Sequence, residues 1–544
     1  MIKRVWISAV FVLAIGLFLC GCGGGGSSAP APASGLSVTS TFPGNGAMRV
    51  AFDAQIVANF NSALDAASVT PFSFQVTGPG NAPVVGTVTV AGATATFTPT
   101  SPLSPSTTYV ARITPAVRNQ GGAALPQDAT WSFTTSSRTV QVGGVANDTL
   151  AAVAADVGGN VLVAGYTAGA LGSFASAGGD DVFLAKYDVD GVRKWLVQKG
   201  SSGRDRALGA AVDGAGNFFV VGETTGLMAS AGANAGGSDL FLLKYDANGT
   251  LTGSSQLGSP QTDVANGVAV DAVGNVYVGG FTAGNLDGNI NAGANDAFIT
   301  RYDAQGNRVW TRQFGTTADD SVLAVAVDAA GNVYAAGETR GSLSGANSGL
   351  ADGFVRSYDP QGNVRWTRQL GSAVSDTASG VTVTATGEVT VCGYTAGAFA
   401  GATNAGGTDI FVARLAVADG ADLLAPAQFG GAGNDFANAV SANAATGEFF
   451  VGGFTDGTLP TASSAGGGDL FLIGYALDGT RNWIRQFGTA ATDRAFSVAF
   501  GAFSSRVFIA GETLGGLDGN VNPAGGASSD GLLTVHSPGT GNRL

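Results

Sequence analysis

Apolar and polar residues alternate along most of the chain after Leu36 with a period of two rather than 3.6, the spacing of strands that bury one face. Between Leu36 and Thr135 the alternating runs are short and separated by Gly, Pro and Asn, at 56–60, 72–76, 86–90, 93–98, 109–113 and 130–134. Roughly seven such strands in ~100 residues predict a β-sandwich, with bounds at 36–136.

From 138 onwards the alternation itself repeats. A Gly-aromatic-Thr or Gly-Glu-Thr triplet begins at Gly165, Gly222, Gly280, Gly337, Gly393, Gly453 and Gly511. An opening Asp recurs at Asp148, Asp205, Asp263, Asp320, Asp376, Asp435 and Asp493, and a mid-repeat Asp at Asp181, Asp239, Asp296, Asp352, Asp409, Asp469 and Asp530. Neighbouring copies lie 56 to 61 residues apart, giving units at about 148–203, 205–258, 263–315, 320–371, 376–430, 435–488 and 493–544. Each holds four strand candidates, which in the third copy cover 267–271, 275–282, 297–303 and 307–314. The innermost is small and β-branched, as in Gly267-Val268-Ala269-Val270, which suits a crowded axis. The outer candidates carry bulk. Trp195, Trp310, Trp366 and Trp483 hold equivalent places in the fourth strand, and Ala425 takes that place in the fifth copy. The D-A-x-G-N and Y-D-x-x-G-N segments supply the Asp and Gly that hairpins need.

Units of this length bury their apolar faces only against neighbours. Four antiparallel strands in each of seven units predict a seven-bladed β-propeller over 138–544, and with it an all-β chain. The seventh copy lacks a W-x-R-Q-F-G strand, which 138–143 loosely matches. That segment is expected to complete the last blade and remove an open edge.

Two family resemblances sharpen this picture. TFPGNGAMRV, ANFNSALDAASV, FTPTSPLSPSTTYVARI and TWSFTT, in that order, resemble the bacterial Ig-like domain of the S-layer-associated type. That resemblance implies a non-catalytic spacer or adhesion unit. The D-A-x-G-N-V-Y-V-x-G-x-T and D-x-F-x-x-x-Y-D-x-x-G-N-x-x-W-x-R-Q-F-G blocks are similar to the bacterial SBBP β-propeller repeat. The fifth copy departs from this pattern where Arg414-Leu415-Ala416-Val417 replaces the usual turn.

A formal net charge of −13 and a pI near 4.5 argue against nucleic acid, whose phosphates need a basic face. The 86 glycines fall in phase with the strand runs and read as turns. Of three cysteines only Cys392 lies in the body, so no internal disulfide framework forms there. At the N-terminus, Lys3 and Arg4 precede an apolar run from Val5 to Leu19 with the form of a signal peptide, too short to span a bilayer comfortably. The run ends in Leu19-Cys20-Gly21-Cys22, which resembles a bacterial lipobox over 1–22. The resemblance implies lipidation of Cys22, and Gly23 after it favours the outer membrane. Residues 23–35, rich in Gly, Ser and Pro, form a flexible tether.

The long loop between second and third strands, such as 283–295, shares a face with the unit-to-unit connections, where function concentrates on a rigid scaffold. The opening and mid-repeat Asp residues approach that face and have two readings. They form a carboxylate ring able to hold Ca²⁺, or each fixes its own loop by accepting backbone N–H groups, which their recurrence in every copy favours. Glu223, Glu338 and Glu512 replace the aromatic residue of the triplet and are candidate acid and base groups, or else hydrogen-bonded strand ends. His536 is the only His, and no calcium loop or phosphate loop motif occurs, so neither a catalytic residue nor a protein metal site is assigned.

These features together predict a monomeric, non-enzymatic, lipid-anchored envelope protein that offers a protein or polysaccharide partner a propeller face. It touches the membrane only through its anchor. A carbohydrate lyase or hydrolase using loop-face carboxylates, and a purely structural envelope protein, are the competing readings.

Overall fold

The computed structural model describes residues 35–50, 54–101, 103–104, 107–135, 139–228, 234–520, 522–523 and 526–544. The signal segment, Cys22, the tether up to residue 34 and Arg138 lie outside them. Among the described residues there is no α-helix, only strands and four single-turn 3-10 segments, and no helix is long and apolar enough to cross a membrane. The chain divides into two units, the second of which takes in Thr135–Leu544.

The first unit holds two four-stranded sheets. One is ordered Val38–Phe42, Ile56–Phe60, Thr94–Pro99 and Gly86–Ala91, the other Ala47–Val50, Ala129–Thr135, Thr108–Ile113 and Phe74–Thr77. Alternate residues of both sheets feed one core. Phe74 stands 5.9 Å from Phe97 of the first sheet and 5.9 Å from Trp131 of its own.

The second unit is built from seven four-stranded antiparallel sheets, numbered 1 to 7 here in chain order. Sheet 3 is typical, with strands Asp263–Val270, Val276–Thr282, Asp296–Tyr302 and Arg308–Phe314. Its first strand begins four residues before the expected 267, because a β-bulge between Ala265 and Gly267 breaks the alternation there. The same bulge recurs in every first strand and explains the glycine of the triplet. A Cβ at Gly280 would overlap the Val264 carbonyl that the bulge pushes across, and each counterpart glycine faces the same obstruction.

First strands of successive sheets pack side by side, and that of sheet 7 packs against that of sheet 1. They enclose a narrow axial cavity of about 200 Å³ lined by residues from all seven, among them Val153, Gly209, Asn266 and Ser379. Asn266 reaches the Val322 carbonyl of the neighbouring first strand at 2.8 Å, and Asn438 reaches Ala495 of the next one at 2.7 Å.

Toward the outside, tryptophan joins one sheet to the next. The indole N–H groups of Trp195, Trp310, Trp366 and Trp483 donate to the carbonyls of Ala247, Pro360, Val417 and Pro538 at 3.0–3.1 Å, each in the turn of the following sheet. The turn glycines Gly249, Gly362, Gly420 and Gly541 have φ of 68–82°, and any Cβ there would meet the indole. In sheet 5 the residue in this place is Leu424, not Ala425. A bulge between Val412 and Arg414 sets Leu424 opposite Arg414, and its side chain packs on Gly479 of the next turn.

Sheet 7 has a composite outer edge. Val140–Val142 pairs with Gly531–Leu533, while Arg543 and Leu544 pair with His536 and Val535. The two ends of the second unit therefore lie along one strand.

Candidate functional site

The long loops and the sheet-to-sheet connections share one end of the repeats, and polar side chains converge there. Every opening Asp is fully buried. Its Oδ2 accepts the backbone N–H four residues earlier, as Asp263 does from Ser259 at 2.6 Å and Asp493 from Thr489 at 2.6 Å. Its other oxygen meets the threonine that ends the second strand, Thr224 for Asp205, Thr282 for Asp263 and Thr513 for Asp493. Thr167, Thr339, Thr395 and Thr455 stand likewise by Asp148, Asp320, Asp376 and Asp435. The third residue of the triplet is thus the hydroxyl donor of the opening Asp in sheets 2, 3 and 7, and lies beside it in the others.

The mid-repeat Asp is equally committed. Asp296 accepts the Ala292 N–H at 2.8 Å and the Gln313 side-chain amide at 2.9 Å. The same Gln313 accepts from the Leu286 N–H and donates to the Gly284 carbonyl, so one amide braces the long loop at three points. Gln198, Gln256, Gln369, Gln428 and Gln486 repeat the arrangement, and Gln141 reaches Asp530 at 2.7 Å. These positioning glutamines are a class the sequence reasoning passed over. Their recurrence two residues before the glycine that ends each fourth strand is the available signal.

Each mid-repeat carboxylate also lies close to the opening carboxylate of the next sheet, separated by the glycine that ends the fourth strand. Burial first, and then the neighbouring charge, pushes Asp263, Asp320, Asp376, Asp435 and Asp493 above the ordinary carboxyl range. Burial likewise raises Asp148 and Asp530. The carboxylates form separate pairs, one at each junction, each spent on loop N–H and hydroxyl groups. Among the described residues no three His, Cys, Asp or Glu side chains converge on a point able to hold a metal ion. This geometry favours the loop-fixing reading of the Asp residues.

The three glutamates do not meet. Glu223 pairs with Arg204 at 3.0 Å, Glu338 accepts from Thr377 at 2.9 Å, and Glu512 accepts from Thr149 at 3.0 Å while facing Arg494 at 3.3 Å. Each closes the end of a second strand on a different sheet. Glu512 lines a cleft of about 340 Å³ with Thr149, Tyr166, Asp180, Arg206 and Arg494. There Arg206 lies 4.8 Å from the Tyr166 ring centre and 2.5 Å from Asp180. This polar cleft on the loop end brings together two guanidinium groups, two carboxylates and an aromatic ring.

The remaining candidates are internal. Cys392 is fully buried, and burial pushes its thiol up to about 12. His536 is also fully buried, bonded to Thr534 at 2.8 Å and to the Gly541 carbonyl at 3.0 Å, and desolvation takes it down to about 3. Neither is placed to act as a nucleophile or base at neutral pH.

Residues 33–135 match the family model described as a bacterial Ig-like domain, and 253–287 and 309–343 match that of a beta-propeller repeat. The chain therefore carries a bacterial Ig-like domain and beta-propeller repeats. Regulatory protein FlaEY of Caulobacter vibrioides is 32% identical over 169 residues, which cover 27% of this chain and 17% of that protein. The match thus spans about a sixth of the relative's length. Among solved structures, the RRP9 WD40 repeats align over 73% of this chain and 97% of theirs, with a TM-score of 0.44 and 11% identity. The Pan2 WD40 domain of Neurospora crassa aligns over 73% and 96%, with a TM-score of 0.40 and 10% identity.

Proposed function

We propose that the chain is a non-enzymatic, lipid-anchored protein of the cell envelope. In this reading an Ig-like β-sandwich acts as a spacer, and a seven-bladed β-propeller presents its loop end to an envelope protein or polysaccharide. The observation that carries it is the commitment of every recurring carboxylate to scaffold bonds, with three glutamates that sit apart. A rigid face whose recurring carboxylates are spent on its own loops suits recognition rather than turnover. The cleft around Arg206, Tyr166 and Arg494 offers stacking and charged hydrogen bonds of the kind that hold acidic sugars or carboxylate-bearing peptides.

The test is binding of fractionated envelope polysaccharides and proteins to the full chain, with Arg206→Ala and Arg494→Ala as variants. Saturable binding that weakens at least tenfold in both variants is the expected result. Shortening of a polysaccharide substrate that disappears in Glu512→Gln would replace this reading with the hydrolytic one. The anchor is tested separately, since Cys22→Ala should move the chain from the membrane fraction to the soluble one.

A further inference from the structure

Sheet 2 lacks the residue that closes five of the other junctions. Its fourth strand, Leu251–Leu257, pairs Gly253 with Lys244, the register at which Trp310 pairs with Arg301 and Trp195 with Lys186. Where an indole would lie there is a cavity of about 380 Å³ between sheets 2 and 3, open to solvent and lined by Phe219, Leu242, Lys244, Gly253, Val276 and Ala304 among others. It opens among the turns, away from the long loops, and within the ~300–1,000 Å³ range of ligand pockets.

The filled junctions show what this cavity accepts. In sheets 3, 4 and 6 the indole packs on the aromatic ring of its own second strand, with centres 6.4 Å apart for Tyr277 and Trp310, 5.9 Å for Tyr334 and Trp366, and 6.1 Å for Phe450 and Trp483. The counterpart ring in sheet 2 is Phe219, and it lines the cavity. At the junction of sheets 1 and 2 the Ala247 carbonyl accepts from Lys186 at 3.4 Å and from the Trp195 indole at 3.1 Å. At that of sheets 3 and 4 the Pro360 carbonyl accepts from Arg301 at 2.9 Å and from Trp310 at 3.1 Å. The matching carbonyl at the open junction, Ala304, receives Lys244 at 3.4 Å and has no indole. The turn glycine, Gly306, has open space where the other turns meet a Trp ring.

We propose that this slot is a binding site for an indole ring that enters from outside the chain. The ring lies on Phe219, passes beside the Gly253 backbone and donates its N–H to the Ala304 carbonyl, reproducing the four junctions the chain fills with its own tryptophan. Lys244, 5.3 Å above the Phe219 ring, borders the ring's face as a cation. The chemistry is shared by free indole-type molecules and by a tryptophan side chain of a peptide. The site is separate from the loop-end cleft and does not depend on the function proposed for it.

The experiment titrates the full-length chain with free indole and with a blocked Gly-Trp-Gly peptide, followed by calorimetry. Expected are one saturable site in the wild type and at least tenfold weaker binding in Gly253→Trp, which fills the slot from within. Gly253→Leu, which copies the junction closed by Leu424, should weaken binding likewise and covers a failure of the first variant to fold. Naphthalene, of similar shape but without an N–H, should bind several-fold more weakly than indole. Peptide binding at least as tight as that of free indole assigns the slot to a partner's side chain, whereas indole binding with the peptide excluded assigns it to a small molecule. Absence of saturable binding by either probe, or binding unchanged in both variants, overturns the proposal.

Discussion

At the loop end of every repeat the same four polar residues recur: the opening Asp, its Thr, the mid-repeat Asp and its Gln. At the turn end the corresponding slot holds Trp in four sheets, Leu424 in sheet 5 and only Gly253 in sheet 2. The contrast follows from the kind of interaction each end makes. A buried N–H or hydroxyl that loses its acceptor costs ~1–3 kcal/mol, and several meet at each carboxylate, so no copy dispenses with the set. An apolar slot loses stability in proportion to the volume left empty, and the ring tolerates the unfilled slot of sheet 2.

The most disruptive way to test this contrast is at the loop end. Asp320→Ala strands the Thr316 N–H and hydroxyl, and should cost about 3–5 kcal/mol in urea unfolding. Asp320→Asn keeps an acceptor and removes the repulsion from Asp296, so its loss should be much smaller. Equal losses would show that charge, not hydrogen-bond satisfaction, governs this end. At the turn end Trp310→Ala should cost about 3–4 kcal/mol, and Leu424→Ala, whose side chain is 39% exposed, about 1–2 kcal/mol.

His536 supplies a third, pH-dependent measure. Its folded pKa lies near 3 against an ordinary value of 6.5, so below ~6.5 the unfolded chain takes up a proton that the folded chain refuses. Stability should fall with acidification by about 1.4 kcal/mol per pH unit across that window, relative to His536→Gln. Parallel pH profiles for the two proteins would mean that the imidazole gains solvent in the folded state. The smallest effect is expected at the partly exposed Arg308–Asp287 pair, where Arg308→Ala should cost under ~1 kcal/mol and less at high salt.

Strands and landmarks were legible in the sequence because each carries its own chemistry. The alternation gives the strands, the turn glycines give the hairpins, and the Gly-x-Thr triplet marks a bulge crossing and a hydroxyl donor. What escaped was register. A bulge adds a residue without altering the alternation on either side, so the repeat spacing points to Ala425 while the ladder places Leu424. The partners of Glu223, Glu338 and Glu512 were equally hidden. Arg204 lies 19 residues before Glu223, Thr377 lies 39 beyond Glu338, and Thr149 is 363 residues from Glu512. The candidate cleft was legible only as a face. Its composition from Tyr166, Arg206 and Arg494 depends on how sheet 1 meets sheets 7 and 2, contacts no local pattern encodes.

The composite edge of sheet 7 also sets a timetable. Gln141 and its partner Asp530 are 389 residues apart, a stretch that takes roughly 20–80 s to synthesise at ~5–20 residues per second. Throughout that interval Val140–Val142 has no partner from its own sheet, and the Asp148–Asp530 junction stays unmade. Six sheets are complete before the ring can close. A ribosome that stalls within the last repeat therefore releases a chain with a bare strand edge, and the nearest remedy for such an edge is another chain in the same condition.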